Sequence, residues 1–494
     1  MLGKLRTLAS DALIYGLTTI LVRFMTFLLT PLYSNYLSKT EIGVFTDLLS
    51  VLGFITILYC VGLDTSFFRF FVRDNVNRTK EAFSYSFWGI FAVSGFFTLM
   101  VFIFADSIAL YFPEINSKYG SSVIRMAALI PLCDVLTFIP YAVLRMNRRA
   151  KVFAGLKIMT VAVNVIATYL MIAVFKMGIM GIVIAGIISS GVAFLAFIPI
   201  IIKWLTPLRG GKALLKEMLV FGLPTVPSAL SLMVLQLADR PIMKAIGGPE
   251  MLGMYSVNYR LALPMLLIVA VFEFAWRPFY LSNHEEEDSK QLFSRILTYF
   301  TLCCALVFLI VSFGMEYVVR MPFVGGRFIN PAFWSGMGII PIVMGGYFFN
   351  GIFTNLAAGF HITKRTKFLP IATVIAAASN VLLNIILIPK YGIYGGAWAT
   401  FGAYFLSMIV LYYYSRTIYP VPYEWKRIFL IIIVTLGIFW GVNALPDMIW
   451  TKILAVVVLV AFFRFTGFFN AEEIAAIKRL VGRKPKKVDG SQNV

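Results

Sequence analysis

The chain has 494 residues, of which 60% are hydrophobic and only 13% charged, with a mean hydropathy of +0.87, far more apolar than a soluble domain of this length. It reads as an all-α polytopic membrane protein. The net charge of +20 does not mark a nucleic-acid binder: clusters such as Arg145, Arg148, Arg149, Lys151 and Lys364, Arg365, Lys367 sit at the ends of apolar runs without any nucleic-acid motif, and anionic lipid headgroups are their natural counterpart.

Runs of about 20 apolar residues, enough for a helix to cross some 30 Å of hydrocarbon, follow one another along the chain. They fall near 10–33, 42–64, 83–104, 123–144, 153–175, 179–202, 219–237, 252–275, 296–313, 333–360, 369–388, 393–414, 428–442 and 450–468, fourteen in all. An even count puts both ends of the chain on one side. Most of the 43 Lys and Arg fall on that side, with Lys157, Lys452 and Arg464 read as span-end residues, so the positive-inside rule predicts a multi-pass protein with cytoplasmic termini. The first run is too long for a signal peptide and lacks a small-residue cleavage site, which predicts that it is retained.

Cys60, Cys133, Cys303 and Cys304 all lie within apolar spans, and His284 and His361 are far apart, so neither a disulfide framework nor a metal site is expected. Beyond the last span, Asn470 and Glu473 read as a helix cap before Ile474, Ile477, Leu480 and Val481 at helical spacing, with basic residues beside them. This predicts a short surface helix and a basic tail over 469–494, serving as a topogenic anchor rather than a lipid sensor.

The same landmarks recur six spans apart. Tyr15-Gly16-Leu17 returns as Phe221-Gly222-Leu223, Gly43-Val44-Phe45 as Gly253-Met254-Tyr255, Arg148-Arg149-Ala150-Lys151 as Lys364-Arg365-Thr366-Lys367, Asn164 as Asn380, and Gly178-Ile179-Met180-Gly181 as Gly392-Ile393-Tyr394-Gly395. The offsets are 206, 210, 216, 216 and 214. Such order and near-constant offset predict two parallel six-helix repeats, an N-lobe over 1–212 and a C-lobe over 213–420, related by an axis along the membrane normal. Two extra spans over 421–468 lie outside the duplication.

Charged residues inside spans carry the functional signal. Arg23 lies near the middle of span 1, where a charge costs roughly 2.5–3.5 kcal/mol on insertion scales. A cation held there points to an anionic passenger. Gly16, Thr19, Arg23, Thr26 and Thr30 share one helix face while Leu17, Leu21, Phe24 and Leu28 take the other. The polar stripe either lines a water-filled cavity or makes a close helix contact in which Arg23 meets a buried acid. On span 8, Gly253, Ser256 and Arg260 form a similar face, and Arg260 is expected roughly 10 Å below the surface. Arg125, near a span end, is expected to snorkel.

Among the acids, Asp134 either partners Arg23 or carries a coupling proton, since burial raises a carboxyl pKa and an adjacent cation lowers it. Glu273, four residues before Arg277, reads as a local ion pair, and Asp47 and Asp64 lie towards span ends. Pro31, Pro224, Pro227 and Pro264 mark expected bends and candidate gates.

These residues, in this order, carry a resemblance. Tyr15-Gly16-Leu17 through Pro31-Leu-Tyr-Ser34 and Glu41-Ile-Gly43, Leu144-Arg145-Met-Asn-Arg148, Phe221-Gly-Leu-Pro224 with Asp239-Arg240, Gly253-Met-Tyr-Ser256 with Ala275-Trp-Arg-Pro278, and Leu387-Ile-Pro-Lys-Tyr-Gly-Ile-Tyr-Gly395 resemble the polysaccharide, or O-antigen repeat-unit, flippases of the multidrug/oligosaccharidyl-lipid/polysaccharide exporter superfamily. The resemblance covers essentially the whole chain. It implies fourteen helices, two six-helix lobes around a cationic cavity, and export of an undecaprenyl-pyrophosphate-linked oligosaccharide from the cytoplasmic to the outer leaflet of the bacterial inner membrane by alternating access. It also implies a polysaccharide polymerase and glycosyltransferases as partners, and no cofactor beyond a counter-transported H+ or Na+.

Two relatives of that superfamily provide alternatives. Lipid II flippases also use arginines in spans 1 and 8, but the arginine-rich, acidic opening expected of them is missing here. A drug/cation exporter should line its cavity with acids, whereas mid-span arginines outnumber carboxylates in this chain. A membrane glycosyl polymerase or ligase needs a catalytic outer loop, and the longest, near 105–122 and 316–332, contain no catalytic constellation. The chain is therefore read as a transporter and not an enzyme.

Overall fold

The computed structural model describes residues 2–72, 74–208, 211–446, 448–465 and 468. The surface helix expected from Asn470 onward lies outside the described residues. The chain forms two compact units, Met1–Lys290 with Met315–Val421, and Gln291–Gly314 with Pro422–Val494.

In the first unit the opening span is two helices, α1 (Leu2–Phe27) and α2 (Leu29–Tyr36). Pro31 explains the break: it has no N–H for the Phe27 carbonyl, and its ring crowds that carbonyl, so the helix ends four residues before it. Next come α3 (Lys39–Cys60) and α4 (Leu63–Phe70). A capping box starts α3: the Ser38 hydroxyl accepts from the Glu41 amide at 3.1 Å, and the Glu41 carboxylate accepts from the Ser38 amide at 3.1 Å. The N-lobe continues through α5 (Val76–Ile103), the short α6 (Ala105–Ala109) and α7 (Pro113–Tyr119), then α8 (Ser122–Met146), α9 (Ala150–Tyr169) with a π-helical last turn, and α10 (Gly178–Trp204). Two apolar clusters hold it together, one around Phe67, Phe83, Ile139 and Phe197, the other around Val44, Phe112, Val123 and Val183.

The second repeat opens with α11 (Gly211–Gly222), a 3-10 turn at Leu223–Thr225, α12 (Val226–Leu237) and α13 (Asp239–Leu261). Pro224 and Pro227 place this turn. At Gly248 the backbone takes φ 79°, a left-handed conformation that glycine adopts without a β-carbon clash, and there span 7 gives way to span 8. Span 8 runs on through α14 (Leu263–Asn283), broken at Ala262 because Pro264 cannot bond the Arg260 carbonyl. All four prolines expected at bends therefore sit at helix breaks.

After α15 (Ser289–Arg320) a two-stranded hairpin, β1 (Pro322–Phe323) and β2 (Gly326–Arg327), and a 3-10 segment lead into α16 (Ile340–Ile362), α17 (Phe368–Tyr391) and α18 (Ile393–Ile418). In the second unit, α19 (Trp425–Asn443) and α20 (Ile449–Phe465) pack with residues 291–314 of α15 around Leu309, Ile431, Leu459 and Phe463. Thirteen helical stretches among the described residues are long and apolar enough to cross a membrane, and α20, at 17 residues, adds a shorter one, consistent with fourteen crossings.

The duplication is visible in how the lobes touch. A β-carbon on Gly43 would overlap the Pro249 carbonyl oxygen, and one on Gly253 would overlap the Lys39 carbonyl oxygen. Gly43 corresponds to Gly253, and Lys39 to Pro249, at the same offset of 210. The two contacts are thus one contact made twice about a pseudo-two-fold axis, at a crossing of α3 and α13 that only glycine permits. Gly62, between α3 and α4, and Gly222, at the end of α11, also approach each other closely, and the Ser66 hydroxyl donates to the Met218 carbonyl at 2.6 Å.

Candidate functional site

Arg23 projects from α1 and is exposed, with Thr19 and Thr26 exposed on the same face. Both threonine hydroxyls donate to the carbonyls one turn back, Tyr15 and Val22, each at 2.9 Å, which leaves their lone pairs available. Two members of the stripe turn elsewhere: Gly16 lies against the Phe274 ring, and Thr30 is fully buried. Leu17, Leu21, Phe24 and Leu28 are exposed on the opposite face, as a lipid-facing flank requires.

Arg260 occupies the last turn of α13, just before the break set by Pro264. Its guanidinium stands 5.5 Å from the centroid of Tyr33, a buried residue of α2 in the other lobe. Neither Arg23 nor Arg260 has a carboxylate within 4.0 Å among the described residues. Tyr347 lies within the fields of Arg23 and Arg240, and Arg240 also acts on Arg260. Arg260 thus adjoins a tyrosine of the opposite lobe, and the buried Tyr255, Tyr347 and Tyr404 join Tyr259 in a chain of ring contacts at 5.3, 6.0 and 6.3 Å. Unpaired guanidiniums present forks of donors that fit a phosphate or pyrophosphate.

Several expectations need correction. Ser256 is buried, unlike the exposed Thr19 and Thr26, and its hydroxyl donates to the Leu252 carbonyl at 2.6 Å. Asp134 does not pair with Arg23: its neighbours are the Ser190 hydroxyl on α10 and Lys157 on α9. Lys157 is not a span-end residue. It lies about two turns into α9, with its ammonium 4.1 Å from the Tyr141 ring centroid. Glu273 and Arg277 are exposed and form no ion pair with each other; Arg277 lies instead near Tyr280, three residues on. Arg125 reaches out of its span end to Asp106 at 3.1 Å, the pairing that snorkelling allows.

Asp47 emerges as a different kind of residue. It is fully buried on α3 and paired at 2.9 Å with Lys244 of α13, across the lobe boundary. Lys244 also donates to the Tyr111 carbonyl at 3.2 Å and stands 4.5 and 4.1 Å from the Tyr111 and Phe112 ring centroids. A second bridge joins Lys39 to Glu250 at 3.3 Å. Sequence reasoning missed Lys244 because a lysine seven residues past a span end looks like an ordinary loop charge. It likewise missed Asp239, buried at the start of α13, which accepts from the Tyr255 hydroxyl at 2.7 Å.

The profile of the polysaccharide biosynthesis protein family matches residues 34–328. The chain belongs to that family. A comparison with curated proteins finds no match. Among solved structures, the lipid II flippase MurJ in an inward closed conformation is similar at 17% identity and a TM-score of 0.72, covering 95% of this chain and 100% of that one. An inward-facing multidrug resistance MATE family transporter of the MOP superfamily is similar at 15% identity and TM-score 0.62, covering 81% and 97%. A MATE structure in the straight conformation follows at 14% identity and TM-score 0.57, covering 83% and 95%. At these identities the likeness establishes a shared fold. This family member is a multi-pass membrane protein with the fold of MOP-superfamily transporters.

Proposed function

We propose that the protein is a flippase that moves an undecaprenyl-pyrophosphate-linked oligosaccharide from the cytoplasmic to the outer leaflet of the bacterial inner membrane, feeding cell-surface polysaccharide synthesis. The observation that carries this reading is the pair Arg23 and Arg260, one in each lobe, neither with a carboxylate partner among the described residues. A membrane-embedded guanidinium without a counter-charge is costly. A pyrophosphate arriving between two such groups supplies the missing charge. A cation exporter would leave both uncompensated.

The family supports polysaccharide synthesis as the setting, and the fold supports alternating access, with the lobes 1–212 and 213–420 rocking about a central site and the contact at Gly43 and Gly253 parting when that site opens on the other face. Tyr33 and Arg260 close over the site, and the breaks at Pro31, Pro224, Pro227 and Pro264 supply the hinges. An inward H+ or Na+ resets the cycle, with Asp134 beside Lys157 as its carrier in the N-lobe.

The test follows lipid-linked intermediates in cells depleted of the protein and complemented with variants. The Arg23→Ala, Arg260→Ala double variant should reach the membrane at normal levels, export no glycan, and leave the lipid-linked repeat unit on the cytoplasmic leaflet. Lys at either position should rescue only in part, since it offers a point charge in place of a fork. Normal export by the double variant would sink the assignment; accumulation of lipid II instead of an oligosaccharide intermediate would redirect the substrate.

A further inference from the structure

Where α8 gives way to α9 the chain reverses over three residues. The Asn147 amide donates to the Val143 carbonyl at 3.0 Å, the Arg148 amide to Arg145 at 3.1 Å, and the Arg149 amide to Leu144 at 2.9 Å. Arg148 takes the left-handed backbone at φ 55°, a position that glycine or asparagine normally fills at a helix end. The second repeat builds the same turn with Lys364 at φ 57° and the Arg365 amide bonded to Phe360 at 2.9 Å. Both repeats therefore put a basic residue where the backbone disfavours any side chain.

In the first repeat the turn borders a cavity of about 230 Å³ at the ends of α8 and α10. Arg149, Lys203 and Asn147 line it, over Leu144 and Ile200, with Trp204 as a wall. The indole is fixed by ring contacts with Phe71 and Phe83 at 6.5 and 6.2 Å, so the wall is rigid. Arg149 and Lys203 are exposed, and neither has a carboxylate within 4.0 Å among the described residues. On the far face of α10, Ile202 and Leu195 are 69% and 61% exposed, so this helix carries an exposed apolar face as well as the cavity wall.

Two cations without a carboxylate partner among the described residues and an amide at a rim, over an apolar floor of Val143, Leu144 and Ile200 and beside a tryptophan, match the phosphodiester of a lipid headgroup. We propose that this cavity binds the phosphate of an anionic glycerophospholipid, of the phosphatidylglycerol type, from the leaflet on the basic face. The phosphate sits between Arg149 and Lys203, and the glycerol packs on Trp204. A zwitterionic headgroup fits less well because its own ammonium would meet the two cations. The site is separate from Arg23 and Arg260, so it anchors the N-lobe to its leaflet while the substrate route stays open.

The experiment uses the full-length protein, purified in mild detergent, with native mass spectrometry to count retained lipid after titration with phosphatidylglycerol, phosphatidylethanolamine or inorganic pyrophosphate. The wild type should retain one phosphatidylglycerol at concentrations where phosphatidylethanolamine is lost, and excess inorganic pyrophosphate should not displace it. The Arg149→Ala, Lys203→Ala variant should bind phosphatidylglycerol roughly tenfold or more weakly. The charge-preserving Arg149→Lys, Lys203→Arg variant should keep it. Equal retention of both lipids, undiminished binding by the alanine variant, or loss of binding in the charge-preserving variant would overturn the proposal. Displacement by pyrophosphate would reassign the cavity to a general anion site.

Discussion

Asp47 and Arg260 hold charge inside apolar helices in opposite ways. Asp47 is neutralised at 2.9 Å by Lys244, whereas Arg260 stands beside the Tyr33 ring with no carboxylate within 4.0 Å among the described residues. The first arrangement is a fixed structural pair; the second is a charge kept available. Removing one partner of a buried pair strands the other, which costs about 3–5 kcal/mol. Asp47→Asn should therefore lower the unfolding temperature of the detergent-solubilised protein clearly, while the Asp47→Leu, Lys244→Met double variant should recover much of the loss. Equal unfolding temperatures for the wild type and Asp47→Asn would show that the pair contributes nothing to the closed lobes.

At the scale of elements, the broken helices matter most. Span 1 breaks at Leu28 one turn after Arg23, and span 8 breaks at Ala262 directly after Arg260. In both repeats a proline near an arginine prevents the helix from continuing straight and frees carbonyls near the cation. Pro264→Ala would restore a donor for the Arg260 carbonyl and favour one continuous helix, a gain of up to about 3 kcal/mol in helix propensity. The expected result is a protein at least as stable as the wild type by thermal unfolding but poor in glycan export. Full export by Pro264→Ala would mean that the bend serves packing alone.

For the whole molecule, the contacts among Lys39, Glu250, Gly43 and Pro249 hold the lobes together on the face opposite the basic loops. Cysteines at positions 39 and 250 should crosslink under mild oxidation and stop export, with reduction restoring it; export at the full rate by the crosslinked protein would rule out rocking of rigid lobes. The driving force follows from charge. If the passenger is the pyrophosphate proposed above, its roughly two negative charges moving outward along an inside-negative potential would gain about 2.3 kcal/mol per charge per 100 mV. In proteoliposomes at fixed voltage, collapsing the pH gradient should slow flipping modestly. Complete arrest would make proton coupling the obligatory driver.

The crossings, the recurring glycines and the bends were legible in the chain because each depends on local chemistry: apolar length, small residues at one offset, and prolines without an N–H. The partners were not. Asp134 meets Lys157, Asp47 meets Lys244 and Arg260 meets Tyr33 because helices distant in sequence cross at particular heights and rotations. Spacing along one helix gives a face, but not what packs against it, which is why Ser256 looked available and is bonded to its own helix, and why Glu273 and Arg277 looked paired and are not. The crossing at Gly43 and Gly253 shows the boundary between the two: the sequence by itself determined that two equivalent glycines exist, and only the tertiary structure decided that they meet, since close approach of two backbones is a property of the packed pair of helices.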